Sequence, residues 1–271
     1  MKILKPAIGG HDGSSFRELL DMWKERGYCE VVSNDNIKSY PLPNETMYPE
    51  ARPWINAVGD VLLYDNPIAD KLSPFLTWKL ALWANEVHKG ENCFPWTFWP
   101  KHPRIFEQVK NENEPSYSER SIESIFIGTF TTNLRGGYNW GSSIQKYWMG
   151  SHSAKLLDHP QYLRVLQRSK FGLCLPGVGP KCLRDIELIG LGTVPVFTPG
   201  VSTEYYVPLQ KDVHYLYAEN PDQVKEVIAG CSEARWKEMH QACLEWYEEN
   251  CSPLGAFRLT QRIVQEKAGL P

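Results

Sequence analysis

The sequence has no excess of positive charge, no long apolar run and no paired cysteines, and each absence removes a class of protein. Lys and Arg number 29 against 32 Asp and Glu, a formal charge of −3. Such a chain has no net cationic field to draw in a polynucleotide or an anionic membrane, so any phosphate must be held by a few local cations and helix ends. No stretch of 18 apolar residues occurs, and the opening MKILKPAIGGHDGSS breaks at Pro6 before a signal-peptide core could form. A membrane span is therefore not expected, and a cytoplasmic location is. The seven cysteines, at 29, 93, 174, 182, 231, 243 and 251, form neither a CxxC pair nor the spacing of a zinc site, which points to reduced thiols. Internal repeats and low-complexity tracts are also missing.

What is present is a folded α/β pattern. With 42% hydrophobic residues, 23% charged residues and ten Trp, the chain has ample material for a core. Lys2 to Ile8 reads as a strand, Gly9 to Ser15 as a glycine-rich turn and Ser15 to Arg26 as a helix with Phe16, Leu19, Leu20 and Trp23 on one side. Tyr28 to Val32 and Asp60 to Tyr64 read as strands, and Pro74 to Val87 as a helix. The run CFPWTFWPKHPR, 93–104, holds three Pro and four aromatics and reads as an ordered loop, with a polar linker over Asn111 to Arg120. Beyond it the strand IESIFIGTF, a loop carrying Arg135, a helix near Gln161 to Gln167, the strand KFGLCL, the helix KCLRDIELIGL and the strand TVPVF make β-α-β crossovers of a parallel sheet. Further helices are expected over Pro221 to Ile228, Glu233 to Glu249 and Leu254 to Lys267.

The chemistry concentrates in residues 170–198, KFGLCLPGVGPKCLRDIELIGLGTVPVFT. Gly177 and Gly179 allow a tight turn, Pro180 suits a first helical position, and the helix start then exposes unpaired N–H groups able to bind an anion. Lys181 and Arg184 oppose the helix dipole there, which is unfavourable unless something negative is close; a diphosphate would supply it. Lys181, Arg184 and Glu187, spaced i, i+3, i+6, share one face, with the carboxylate placed to accept from ribose hydroxyls. The competing reading is a solvent-exposed helix face with Arg184 in a surface ion pair. A dinucleotide fingerprint would need glycine where Cys182 stands, and a Walker loop would need Lys followed by Ser or Thr; neither is present.

The spacing of Arg184, Glu187, Gly192 and Pro195 resembles the donor-binding segment of exostosin-like glycosyltransferases. SIFIGTFTTNLR upstream and HYLYAENPDQV downstream are similar to neighbouring steps of the same nucleotide-binding half, so the resemblance covers roughly 120–230. Cys182 stands where many relatives have Ser, and the stalk and anchor of Golgi members are missing, in which the chain is similar to small virus-encoded members.

The resemblance implies an α/β GT-B fold, two Rossmann-like domains facing a cleft. These would be an acceptor-binding domain over 1–115, a nucleotide-sugar-binding domain over 120–252 and a C-terminal helix, 253–271, packing back on the first. It implies an inverting, metal-independent transfer from a UDP-sugar, with UDP-xylose the first sugar to try, to a hydroxyl of a glycan or glycoprotein acceptor, without a cofactor. The missing DxD motif agrees. By this analogy Gly128, Thr129, Arg135, Gly177, Gly179, Lys181 and Arg184 surround the diphosphate, Glu187 the ribose and Glu204 the donor sugar.

An inverting transfer needs a general base. His11 and Asp12, in the loop after the first strand, are the first candidates and Asp65, at the end of VLLY, the second; a helix cap competes for Asp12. Trp96 and Trp99 could stack on acceptor sugars, with core packing as the rival. Two other classes stay open: a non-catalytic carbohydrate-binding protein on the same fold, and a nucleotide-dependent oxidoreductase.

Overall fold

A helical apolar period opens the fold. α1 (Gly13–Glu25) turns Phe16, Leu19, Leu20 and Trp23 to one side, and none of the four is more than 1% exposed. A computed structural model describes residues 2–4, 13–32, 54–55, 61–64, 80–84, 93–112, 114–128, 157–177 and 179–268. Of the residues singled out above, His11, Asp12, Asp65, Thr129 and Arg135 lie outside these.

The chain divides into two compact α/β units, one of residues 1–104, 204–207 and 249–271, the other of residues 105–203 and 208–248. This division falls at Arg104, ahead of the polar stretch read as a linker; Arg120, at the end of that stretch, is buried in the second unit.

The first unit pairs β1 (Lys2–Leu4) with β2 (Glu30–Val32) in parallel. A second sheet runs β3 (Trp54–Ile55), β4 (Val61–Tyr64), β5 (Leu80–Trp83), β6 (Cys93–Pro95), parallel except for the antiparallel β3–β4 pair. Two sequence expectations are corrected here. Leu80 to Trp83 is a strand, not part of a helix, and Cys93 to Pro95 is a strand, not loop. The LALW run joins two neighbouring strands, and a continuous apolar run cannot be assigned to helix or inner strand from its period alone. The aromatics after β6 then enter the core: Trp96 and Trp99 are 0% exposed, and Phe16 packs against both, edge-on to Trp96 and tilted to Trp99, with ring centroids 5.6 and 4.8 Å away. Trp96 Nε1 donates to Thr260 Oγ1 at 2.8 Å, and Trp23 Nε1 to the Pro253 carbonyl at 2.6 Å. Both acceptors belong to α7 (Pro253–Ala268), which thus packs within the first unit.

The second unit starts within α2 (Pro103–Lys110), which was expected to begin as loop, and is organised by one parallel sheet. Its strands are β7 (Ile122–Ile125), β8 (Ser169–Cys174), β9 (Val194–Phe197) and β10 (Leu216–Tyr217), in the order β10-β9-β8-β7. The crossovers carry α3 (His159–Gln167) and α4 (Leu183–Gly190); α5 (Pro221–Ala229) and α6 (Glu233–Asn250) follow β10. Strand alternation sends Phe171, Leu173, Val194 and Val196 into a core shared with Trp236 and Met239 of α6. Among the described residues no helix is long and apolar enough to cross a membrane.

At the end of α4 the chain reverses through Gly192, whose φ is +65°, and a β-carbon there would collide with the His240 ring. The Gly192 carbonyl meets His240 Nδ1 at 2.6 Å, and His240 also reaches Glu114 at 2.6 Å. Gly192→Ala therefore combines left-handed backbone strain with overpacking, and is expected to destabilise the protein by about 2–4 kcal/mol. Chemical denaturation would read this as a lower midpoint at unchanged slope.

Candidate functional site

In a parallel α/β sheet, ligands bind beyond the carboxyl ends of the strands. In the second unit that edge is made by Phe126 to Gly128 after β7, by Leu175 to Gly177 and Gly179 to Lys181 after β8, and by the start of α4. Two features differ from the sequence reading. The helix begins at Leu183 with Cys182 as N-cap, so Pro180 is not its first residue and Lys181 lies outside it, not on a common helical face with Arg184 and Glu187. The helix end also brings its own carboxylate: Asp185 Oδ2 accepts from the Cys182 N–H at 2.9 Å, where a bound diphosphate alone had been expected to answer the dipole. The glycine turn is closed by the Gly177 N–H donating to the Gly179 carbonyl at 2.9 Å, and Ser202 N–H donates to the Pro180 carbonyl at 2.8 Å.

The side chains here are not a solvated helix face. Lys181 and Glu187 are each 2% exposed and Asp185 1%. Arg184 lies across the end of β7, its Nε donating to the Ile127 carbonyl at 3.1 Å and its guanidinium over the Phe126 ring at 4.5 Å. Nη1 of Arg184 is buried and makes no hydrogen bond. Burial works against the Arg184 charge, yet Tyr162, Cys182, Asp185 and Cys174 together raise its pKa. The result is a fixed cation with a donor to spare, the arrangement that recognises a phosphate or carboxylate oxygen.

One turn further along α4, Glu187 Oε2 accepts from the Tyr162 hydroxyl at 2.7 Å, while Glu187 Oε1 lies 4.0 Å from His159 Nε2. His159 and Tyr162 stack at 5.6 Å between centroids. Sequence reasoning missed both α3 residues. Their signal was positional: Asp158-His159-Pro160 opens the helix after β7, at the same sheet edge as the start of α4. Tyr162 holds its proton firmly, because burial, then the Glu187 charge, push the phenol well above its ordinary range, Arg184 pulling the other way. The buried Cys174 thiol is likewise pushed up, by burial and then by Asp185, so it is no ready nucleophile.

The structure thus brings Gly128, Arg184 and Glu187 together at one sheet edge, with Gly177, Gly179 and Lys181 in the adjoining loop. It does not bring Trp96 and Trp99 to a surface: both are core residues of the first unit, and a fully buried ring has no face left for an acceptor sugar. Glu204 is exposed and falls in the 204–207 segment counted with the first unit. Among the described residues no group of three His, Cys, Asp or Glu could hold a metal ion.

Gly128 controls where Arg184 sits, because a β-carbon there would lie 2.7 Å from Nη2 and 3.1 Å from Phe126. The guanidinium is the far end of a long side chain, so Gly128→Ala should push it from its place over Phe126 rather than displace backbone, at a modest cost in stability. Its expected effect is a loss of inorganic pyrophosphate affinity of about tenfold, or ~1.4 kcal/mol, by calorimetry, with a melting temperature close to that of the wild type.

By sequence, no family model and no curated protein matches the chain. By structure it is similar to a glycosyltransferase from Rickettsia africae ESF-5, with a TM-score of 0.54 and 11% identity, over 100% of this chain and 98% of that one. At that identity the likeness speaks for the fold alone, an α/β fold shared along the whole of both chains.

Proposed function

We propose that the chain is a glycosyltransferase of the exostosin-like, GT-B kind, with its nucleotide-sugar site at the carboxyl edge of the second unit's sheet. The observation that carries this reading is the buried, unsatisfied Nη1 of Arg184 beside a carboxylate one helical turn away. A cation for a diphosphate and an acceptor for ribose hydroxyls, at that separation, fit a nucleoside diphosphate better than either group alone. The fold shared with a glycosyltransferase and the spacing of Arg184, Glu187, Gly192 and Pro195 support it.

In this reading the donor is a UDP-sugar, UDP-xylose the first to test, and the acceptor is a hydroxyl of a glycan or glycoprotein. Arg184, Lys181 and Arg135 neutralise the departing diphosphate, with Thr129 and the Gly177–Gly179 turn around it, so the transfer proceeds without a metal. Inversion places the base opposite the leaving group; Asp12, alone or through His11, is the first choice, Asp65 the second and Glu204 the third.

UDP is expected to raise the melting temperature equally with and without EDTA. Arg184→Ala should weaken UDP binding by on the order of 2–5 kcal/mol, and Glu187→Gln by less, since an amide oxygen still accepts. Negligible losses in both, measured by calorimetry, would remove the donor site. On a confirmed acceptor, Asp12→Asn should keep donor affinity and cut turnover by roughly 10²–10⁴-fold. Normal turnover in that variant beside a dead Asp65→Asn would move the base to Asp65.

A further inference from the structure

On one helix, charges three residues apart lie side by side, and an arginine and a glutamate at that spacing ordinarily pair. Arg184 and Glu187 have that spacing on α4, in a site where little water weakens their attraction. A direct pair would use up guanidinium donors, and an incoming anion would first have to displace a carboxylate. Yet each is held elsewhere. Arg184 donates through Nε to the Ile127 carbonyl at 3.1 Å, lies over the Phe126 ring and keeps Nη1 out of any hydrogen bond. Glu187 is engaged from α3: Oε2 accepts from the Tyr162 hydroxyl at 2.7 Å, and Oε1 lies 4.0 Å from His159 Nε2.

Tyr162 is in contact with both charges. Burial, then the Glu187 charge, raise the pKa of its phenol well above the ordinary range, while Arg184 pulls it down. The phenol stays protonated, and it gives its one proton to the carboxylate. Its ring is fixed by stacking on His159 with 23° between planes. The first turn of α3 is closed by a reciprocal capping box, Gln161 N–H to Asp158 Oδ1 at 2.8 Å and Asp158 N–H to Gln161 Oε1 at 3.2 Å.

We propose that Tyr162 is a positioning residue that draws the Glu187 carboxylate to α3 and so keeps Arg184 for the anion of the donor. The inference rests on the donor-site reading above. Without the hydroxyl, a buried carboxylate oxygen loses its donor, which is costly, and a replacement within reach on its own helix is the Arg184 guanidinium. Tyr162 acts by satisfying one charge on behalf of the other and need not touch the ligand.

The test is calorimetric titration of inorganic pyrophosphate into wild type, Tyr162→Phe, Glu187→Gln and the double variant. Tyr162→Phe keeps the ring and removes the hydroxyl; it is expected to lower pyrophosphate affinity about 5- to 30-fold, because the anion must then compete with Glu187. Glu187→Gln leaves no carboxylate to hold back, so the double variant should match it within about twofold. Rescue of a binding defect by a second substitution is not expected of a residue that only supports the fold. An unchanged affinity in Tyr162→Phe overturns the proposal while the donor site stands. So does a double variant that falls below Glu187→Gln by as much as Tyr162→Phe falls below wild type, since the hydroxyl would then support Arg184 directly. If Tyr162→Phe does not fold, Glu187→Gln against the double variant still decides: equal affinities support the proposal, and a further fall of about threefold or more overturns it. Absence of pyrophosphate binding to wild type, or full binding to Arg184→Ala, overturns the donor site and this proposal together.

Discussion

A fully buried guanidinium fixes the geometry on which the site depends, and it lies at the opposite end of the sheet. Arg120 is 1% exposed and donates to the carbonyls of Ser169 and Leu191 at 2.9 Å each, to Thr193 Oγ1 at 3.1 Å and to the Pro115 carbonyl at 3.3 Å. It also stacks over Trp236 at 5.2 Å. Burial lowers its pKa to about 10, still far above neutrality, so the clamp stays charged. One side chain thereby ties the start of β8, the end of α4 and the approach to β9. Because α4 is short, about 12 Å at 1.5 Å per residue, fixing where it ends also fixes where it begins. Arg184 and Glu187 inherit their positions from a clamp they never touch.

The four-residue spacing that resembles exostosin-like enzymes divides in two when seen in three dimensions. Arg184 and Glu187 stand at the carboxyl edge among polar groups. Gly192 and Pro195 stand at the other end of α4 and inside β9, where a positive φ and strand packing account for them. Such a pattern reports a helix of set length between a polar sheet edge and a structural end.

Electrostatically the edge is balanced rather than cationic. Asp185 and Glu187 share it with Arg184, and Lys181 lies buried next to the N-cap. Asp185 serves the helix end, Glu187 answers Tyr162, and Arg184 keeps one donor over. Burying that many charges is costly unless each is paired or meets a ligand, and sites that bind polar ligands carry such residual demand. The same balance sets the edge apart from a patch of uniform positive charge.

The sequence by itself determined the class of fold, a mixed α/β chain with a parallel sheet. An apolar period of 3.6 names α1, and short apolar runs alternating with the longer KCLRDIELIGL segment name β7, β8, α4 and β9, although β8, α4 and β9 are buried almost throughout; the PGVGP turn before Arg184 marks a sheet edge. It did not determine β5, where a continuous apolar run carries no period that separates strand from helix, nor the roles of Trp96 and Trp99, whose aromatic faces serve a core as well as a surface. Only the tertiary structure decided that Lys181 precedes the helix, that Asp185 occupies its N-terminal turn, and that Tyr162 and His159 reach Glu187 from another helix. Those contacts join residues some 25 positions apart, and spacing along one chain carries no information about which side chains of two helices meet; the crossing of α3 and α4 over the sheet does.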